Sequence, residues 1–260
     1  MLSVEGLRVA YADRPDRPAL AGIDLEVGDN EVLAVLGANG AGKSTLLKTI
    51  TGGIRPTAGS VVYDSPAEEG SARKSLRLDR MSPSAIVRAG VVQVPERRRI
   101  FPGLTVLENL RAGAFTRGRR AAGDVEWAMG VFPGLRAQAY RAAGTLPVGD
   151  QQVLALARAL VSRPRLVLVD EISAGISPAL ACQLFDVLRS LSLNGTSLLI
   201  VEQFVNLALD LADRVCVVEN GRVSVVKAPG NLCLSDIPWQ STQPGGGNGA
   251  SSSRSKGARG

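Results

Sequence analysis

Histidine is absent from this chain of 260 residues, so no imidazole titration shapes its pH profile. Cysteine is scarce: Cys182, Cys216 and Cys233 form an odd set without metal-ligand or redox spacing, which argues against a disulfide framework. Each lies in an apolar stretch and is expected to behave as a small hydrophobe in a reducing cytosol. Long hydrophobic runs are missing too. No segment approaches the roughly 18–20 apolar residues needed to cross a bilayer, and the start, MLSVEGLRVAY, alternates like a strand and lacks the basic and apolar regions of a signal peptide. A membrane role is therefore expected to come through a partner. The formal charge is +6, but Arg254, Lys256 and Arg259 sit in a tail without acids, which leaves +3 for residues 1–240. A surface so mildly basic points to no nucleic-acid partner.

What is present is ordinary folded composition, 45% apolar and 21% charged, in a length that suits one large domain or a domain with an inserted lobe. Residues 2–11 and 21–27 read as short strands. EVLAVLG, residues 31–37, is a continuous apolar run of the kind buried in a parallel sheet. Residues 66–80, PAEEGSARKSLRLDR, are polar and aperiodic and predict a surface loop. From Phe101 to Val161 the pattern is helical, punctuated by Pro102, Pro133 and Pro147, as in an inserted helical lobe. RLVLVD (165–170), SLLIVE (197–202) and RVCVVE (214–219) then alternate with helical stretches. That alternation predicts an α/β fold with a parallel sheet covered on both faces. Beyond Trp239 the composition turns to Gly, Ser and basic residues and predicts a disordered tail over 240–260.

Two stretches carry chemistry. Gly37, Ala38, Asn39, Gly40, Ala41, Gly42, Lys43, Ser44 and Thr45 spell GANGAGKST, a match to GxxxxGK[ST] with a buried strand before it and a helix after it. Glycines there let main-chain N–H groups close around a phosphate at a helix N-terminus. Lys43 would reach the β- and γ-phosphates of ATP, and Ser44 would ligate Mg²⁺. RLVLVDE ends in paired acids at a strand end: Asp170 is placed to hold Mg²⁺ and Glu171 to orient the attacking water.

The order GANGAGKST, VPERRRIFPGLTVLENL, AGTLPVGDQQVLALARAL, RLVLVDEISAGISP and IVEQFVNLALDLADRVCVVENGRV resembles the ATPase subunits of ABC transporters, most of all those of branched-chain amino-acid importers, the LivF type. The resemblance implies a P-loop NTPase fold of the RecA-like kind. It has a mostly parallel sheet, an N-terminal antiparallel β subdomain and an inserted α-helical lobe at about 97–162, all within an ATPase domain spanning 1–239. It implies that Tyr11 stacks on adenine, against the plainer reading of a strand tyrosine packed on its sheet. Glu96 takes the position where many relatives have a glutamine sensing Mg²⁺ and the γ-phosphate, and Gln93 is then only a strand residue. Gln203 stands where most relatives have a histidine that bonds the γ-phosphate; an amide can donate that bond but cannot carry charge.

The partners implied are integral-membrane permease subunits, a sister ATPase facing this chain head to tail and, indirectly, an extracytoplasmic solute-binding protein. The chain would then sit in the cytoplasm, peripheral to the inner face of the membrane. Each nucleotide of such a pair lies between one phosphate loop and the partner's signature, usually LSGGEQQ. Here that signature reads LPVGDQQ. Pro147 removes a hydroxyl and an N–H, and Val148 adds a Cβ where close approach is needed, while Gly149, Asp150 and Gln151 persist. Loss of such donors predicts an asymmetric heterodimer, or else a hydrolytically silent nucleotide-binding regulatory subunit. Ile172 and Arg97 also depart from the relatives, which have proline and glycine there. The three arginines of ERRRIF suit acidic groups on a permease, or a solvated basic turn.

Overall fold

The computed structural model describes residues 1–14, 16–65, 74–202, 205–233 and 236–237. Ten strands and eight α-helices appear among them. Strands β1 (Leu2–Val9), β2 (Leu20–Val27), β4 (Ala58–Ser65) and β5 (Lys74–Arg77) form an antiparallel sheet in the order β2-β1-β4-β5. A second sheet runs β10-β9-β3-β8-β7-β6, from β3 (Val32–Leu36), β6 (Val91–Val94), β7 (Leu166–Asp170), β8 (Ser197–Val201), β9 (Arg214–Glu219) and β10 (Arg222–Lys227). Its pairings are parallel except for β10 on β9.

The continuous apolar runs have a structural reason. Side chains of a strand alternate between faces, and in β7 Leu166 and Leu168 enter the core beneath the antiparallel sheet while Val167 and Val169 enter the core beneath the helices. In β8, Leu199 and Val201 face the first of these and Leu198 and Ile200 the second. With both faces covered, every residue of β3 and β7 is buried.

Helix α1 (Lys43–Ile50) follows β3, and α2 (Pro83–Arg88) precedes β6. Between β6 and β7 lie α3 (Val106–Gly113), α4 (Ala121–Val131), α5 (Pro133–Ala137) and α6 (Val148–Leu160). Helix α3 starts on a capping box: the Glu108 amide donates to the Thr105 hydroxyl, and the Glu108 carboxylate accepts from the Thr105 amide at 2.8 Å. In α4, Asp124 is buried and accepts from Arg117 Nε at 2.7 Å and Arg163 Nε at 2.9 Å. Burial opposes its ionisation, but the two arginines outweigh burial and hold the carboxyl below the usual aspartate range. Helices α7 (Pro178–Leu193) and α8 (Val205–Leu211) complete the parallel sheet's cover.

Two expectations need correction. The polar segment 66–80 is not all loop, for within its described part Lys74–Arg77 pairs with β4 and Leu78 is fully buried. Asp79 secures that corner by accepting from the Val61 amide and from Arg77, so polar residues here build an edge strand that aperiodicity concealed. Of the cysteines, only Cys216 is buried, its thiol pushed up to about 12 by desolvation; Cys182 and Cys233 are exposed. The tail 240–260 lies outside the described residues.

Candidate nucleotide-binding site

The loop from β3 to α1 folds back on itself. The Ala41 amide donates to the Ala38 carbonyl at 3.1 Å. Gly42 has φ 110°, and a Cβ there would meet the Ala19 carbonyl oxygen at 2.5 Å, so only glycine fits where the loop meets the antiparallel sheet. The β9–β10 turn closes over the loop: the Gly221 amide donates to the Ala41 carbonyl at 3.0 Å, and the Gly221 carbonyl accepts from Ala21 in β2 at 2.7 Å.

Lys43 opens α1 and is buried, its ammonium donating to the carbonyls of Gly37 at 2.7 Å and Ala38 at 3.1 Å. Burial pushes its pKa down, against the charges of Glu171, Asp170 and Glu202, which favour the cation. One residue on, the Ser44 hydroxyl donates to Asp170 Oδ1 at 3.1 Å, across from α1 to the end of β7. Asp170 is 3% exposed; burial raises its carboxyl pKa, with the Glu96 charge adding, while the Ser44 bond and the charges of Lys48 and Lys43 oppose. A hydroxyl and an electron-rich buried carboxylate held this close fit a hard divalent cation, which takes oxygen donors and tolerates retained water. A buried ammonium beside a glycine-rich turn at a helix start fits a polyphosphate.

Lys43 and Ser44 open into a cleft of about 950 Å³, with Asp170 behind Ser44. Its floor holds Asn39, Gly40, Gly42, Lys43, Ser44 and Thr45; Glu96 and Glu171 flank it; Tyr11, Arg14, Asp16 and Arg17 form its outer wall with Asn220 and Gly221. Tyr11 lines the cleft, is 40% exposed, and its hydroxyl is 3.1 Å from Thr45 Oγ1. Gln203 lies outside the described residues.

Gln93 is more than a strand residue, which corrects the sequence reading: its amide reaches Asp170 Oδ2 at 3.4 Å on one side and the Thr51 hydroxyl at 3.3 Å on the other. Parallel pairing of β6 with β7 brings it there, and a lone polar residue in VVQV was the available signal. Glu202 and the outer-wall residues Arg14, Asp16, Arg17, Asn220 and Gly221 also went unread. Glu202 ends a strand just as Asp170 and Glu171 do, so the same reasoning could have found it.

Gly149, Asp150 and Gln151 stand at the start of α6 and do not line the cleft of Lys43. The Asp150 carboxylate accepts from Gln138, and Gln151 donates to the Leu146 carbonyl. Pro147 caps the helix without a side-chain bond, and Val148 is 47% exposed. After Glu96 the backbone turns through Arg97, Arg98 and Arg99 at φ 60°, 62° and 43°, three left-handed residues in succession. Arg97 pairs with Glu96 at 3.6 Å, and the Arg99 carbonyl accepts from Arg158, whose guanidinium lies 4.8 Å from the Phe101 ring centroid.

This is the fold and loop chemistry of a nucleotide-binding cassette. The family model described as ABC transporter matches residues 20–174, and the chain belongs to that family, as an ATP hydrolase coupled to transport. Among its relatives, the high-affinity branched-chain amino acid transport ATP-binding protein BraG of Pseudomonas aeruginosa is 40% identical over 206 residues, 79% of this chain and 84% of that protein. A probable branched-chain amino acid transport ATP-binding protein LivF of Archaeoglobus fulgidus is 35% identical over 206 residues, 78% of this chain and 82% of that protein. A solved nucleotide-free ATP-binding cassette from an ABC transporter aligns with TM-score 0.74 and 25% identity, covering 94% of this chain and 96% of that one. A dimeric post-hydrolysis cassette bound to ADP and Pi shares the fold at TM-score 0.77 and 21% identity, over 88% of this chain and 99% of that one.

Proposed function

We propose that this chain drives uptake of branched-chain amino acids or similarly small polar solutes, as one ATPase subunit docked on separate permease subunits. The observation that carries the nucleotide chemistry is the buried Lys43 ammonium in the loop beside the 3.1 Å contact of Ser44 with Asp170. In this reading the loop and Lys43 hold the phosphates, and Ser44 and Asp170 hold Mg²⁺ with Glu96 at its side. Glu171 orients the attacking water, Gln203 donates to the γ-phosphate, and Tyr11 stacks on adenine. The solute class follows the two relatives whose names specify branched-chain amino acid transport.

The sister subunit is a different chain carrying an intact signature. The blunted start of α6, with Pro147 and the half-exposed Val148, supports this pairing. The permease seats on a groove of about 190 Å³ between lobe and sheet, lined by the exposed Phe101 and Phe115 and by Arg158. Among the described residues no helix is long and apolar enough to cross a membrane, in keeping with attachment through the permease to the cytoplasmic face. A solute-binding protein outside would select the cargo.

The same blunted helix start favours a second reading, a subunit that grips nucleotide without firing. Calorimetry with Mg-ATP and uptake assays separate the two. K43A should weaken ATP binding at least about tenfold, since it removes a charged contact to the phosphates. E171Q should keep ATP binding and stop uptake; uptake at the wild-type rate would leave only the silent reading.

A further inference from the structure

Strands β7 and β8 are parallel neighbours with Asp170 opposite Val201, so Glu171 and Glu202 leave the sheet side by side. Glu171 has φ 48°, a left-handed conformation that an L-residue keeps only where its surroundings enforce it. Its amide donates to the Val201 carbonyl at 2.9 Å. The next grip on the turn comes two residues later, where Glu202 takes Ser173 with both oxygens: Oε1 accepts from the Ser173 amide at 3.1 Å and Oε2 from its hydroxyl at 2.6 Å. Ile172, between the two anchors, is fully buried.

Glu202 is 1% exposed and Ser173 3%. A carboxylate so desolvated is unfavourable unless donors surround it, and an apolar pair could fill the same space. Glu202 also does not line the cleft, whereas Glu171 does. We infer that Glu202 is a positioning residue for ATP hydrolysis: by holding Ser173 in a two-point grip, it fixes the turn that aims the Glu171 carboxylate into the cleft. The inference rests on Glu171 orienting the attacking water.

The test uses the full chain assembled with its permease and reads Mg-ATP hydrolysis, ATP affinity and melting temperature for E202A, E202Q, S173A and E171Q. A misaimed catalytic group lowers turnover without loosening the ground state, so E202A and S173A should drop kcat by about 10- to 100-fold with KM within about twofold of wild type. E202Q keeps an acceptor for the Ser173 amide and a donor for its hydroxyl, and should recover most of the turnover. Wild-type kcat in E202A or S173A overturns the inference, as does a fall in kcat matched by equal losses in ATP affinity and melting temperature. If E202A does not fold, S173A and E202Q decide on the same criteria. Hydrolysis surviving in E171Q sinks the role of Glu171 and this inference with it. A dead E171Q beside a fully active S173A and E202A sinks this inference alone.

Discussion

At the scale of single residues the cleft is organised by burial of charge. Asp170 is the clearest case, because desolvation raises its pKa and a fold that raises an acid's pKa favours the protonated form. That contribution to stability is present below the ordinary aspartate range and is lost as pH rises through the elevated value. Thermal melts in chelator from about pH 4 to 8 should therefore show wild type falling relative to D170N as pH rises. With Mg²⁺ and ATP added the order should reverse, since only the carboxylate holds the cation. Lys43, Ser44 and Asp170 were legible in the sequence because GxxxxGK[ST] and a strand-end acid are local patterns. The contacts of Gln93 with Asp170 and of Ser173 with Glu202 were not, because they come from strand register, which brings together residues 77 and 29 positions apart.

At the scale of elements, the helical lobe stands on a buried carboxylate and one altered helix start. D124N removes the charge that draws Arg117 and Arg163 together, and should cost roughly 2–3 kcal/mol at neutral pH. Asp124 has a lowered pKa, so its stabilisation is present above the ordinary aspartate range and disappears as pH falls through the lowered value. Denaturant unfolding of wild type and D124N should thus converge in strong acid. At α6, the double change P147S with V148G restores a hydroxyl, an amide donor and close approach. Purified chain pairing with itself should then hydrolyse ATP on the order of 10²-fold faster than wild type, measured as phosphate release. The periodicity of α6 and α7 was plain in the sequence, whereas β5 and β10 were not read. Both are edge strands with no fully buried residue, so neither carries the apolar run of a buried strand.

At the scale of the whole molecule, the cleft is a junction rather than the property of one sheet. Gly221 has φ 71°, and a Cβ at that position would lie only 2.7 Å from the Ala19 carbonyl oxygen. Its amide touches the phosphate loop and its carbonyl touches β2. G221A should lower the melting temperature and weaken ATP binding together, by a shared cost of about 1–3 kcal/mol. A melting change without a calorimetric one would refute that coupling.

The double contact of Gly221 also makes nucleotide and the antiparallel sheet reciprocal ligands of one another. Whatever free energy bound ATP lends to β1 and β2, an equally large share must return to ATP when those strands are tightened from outside. Hydrogen exchange along β1 and β2 becomes a gauge of site occupancy.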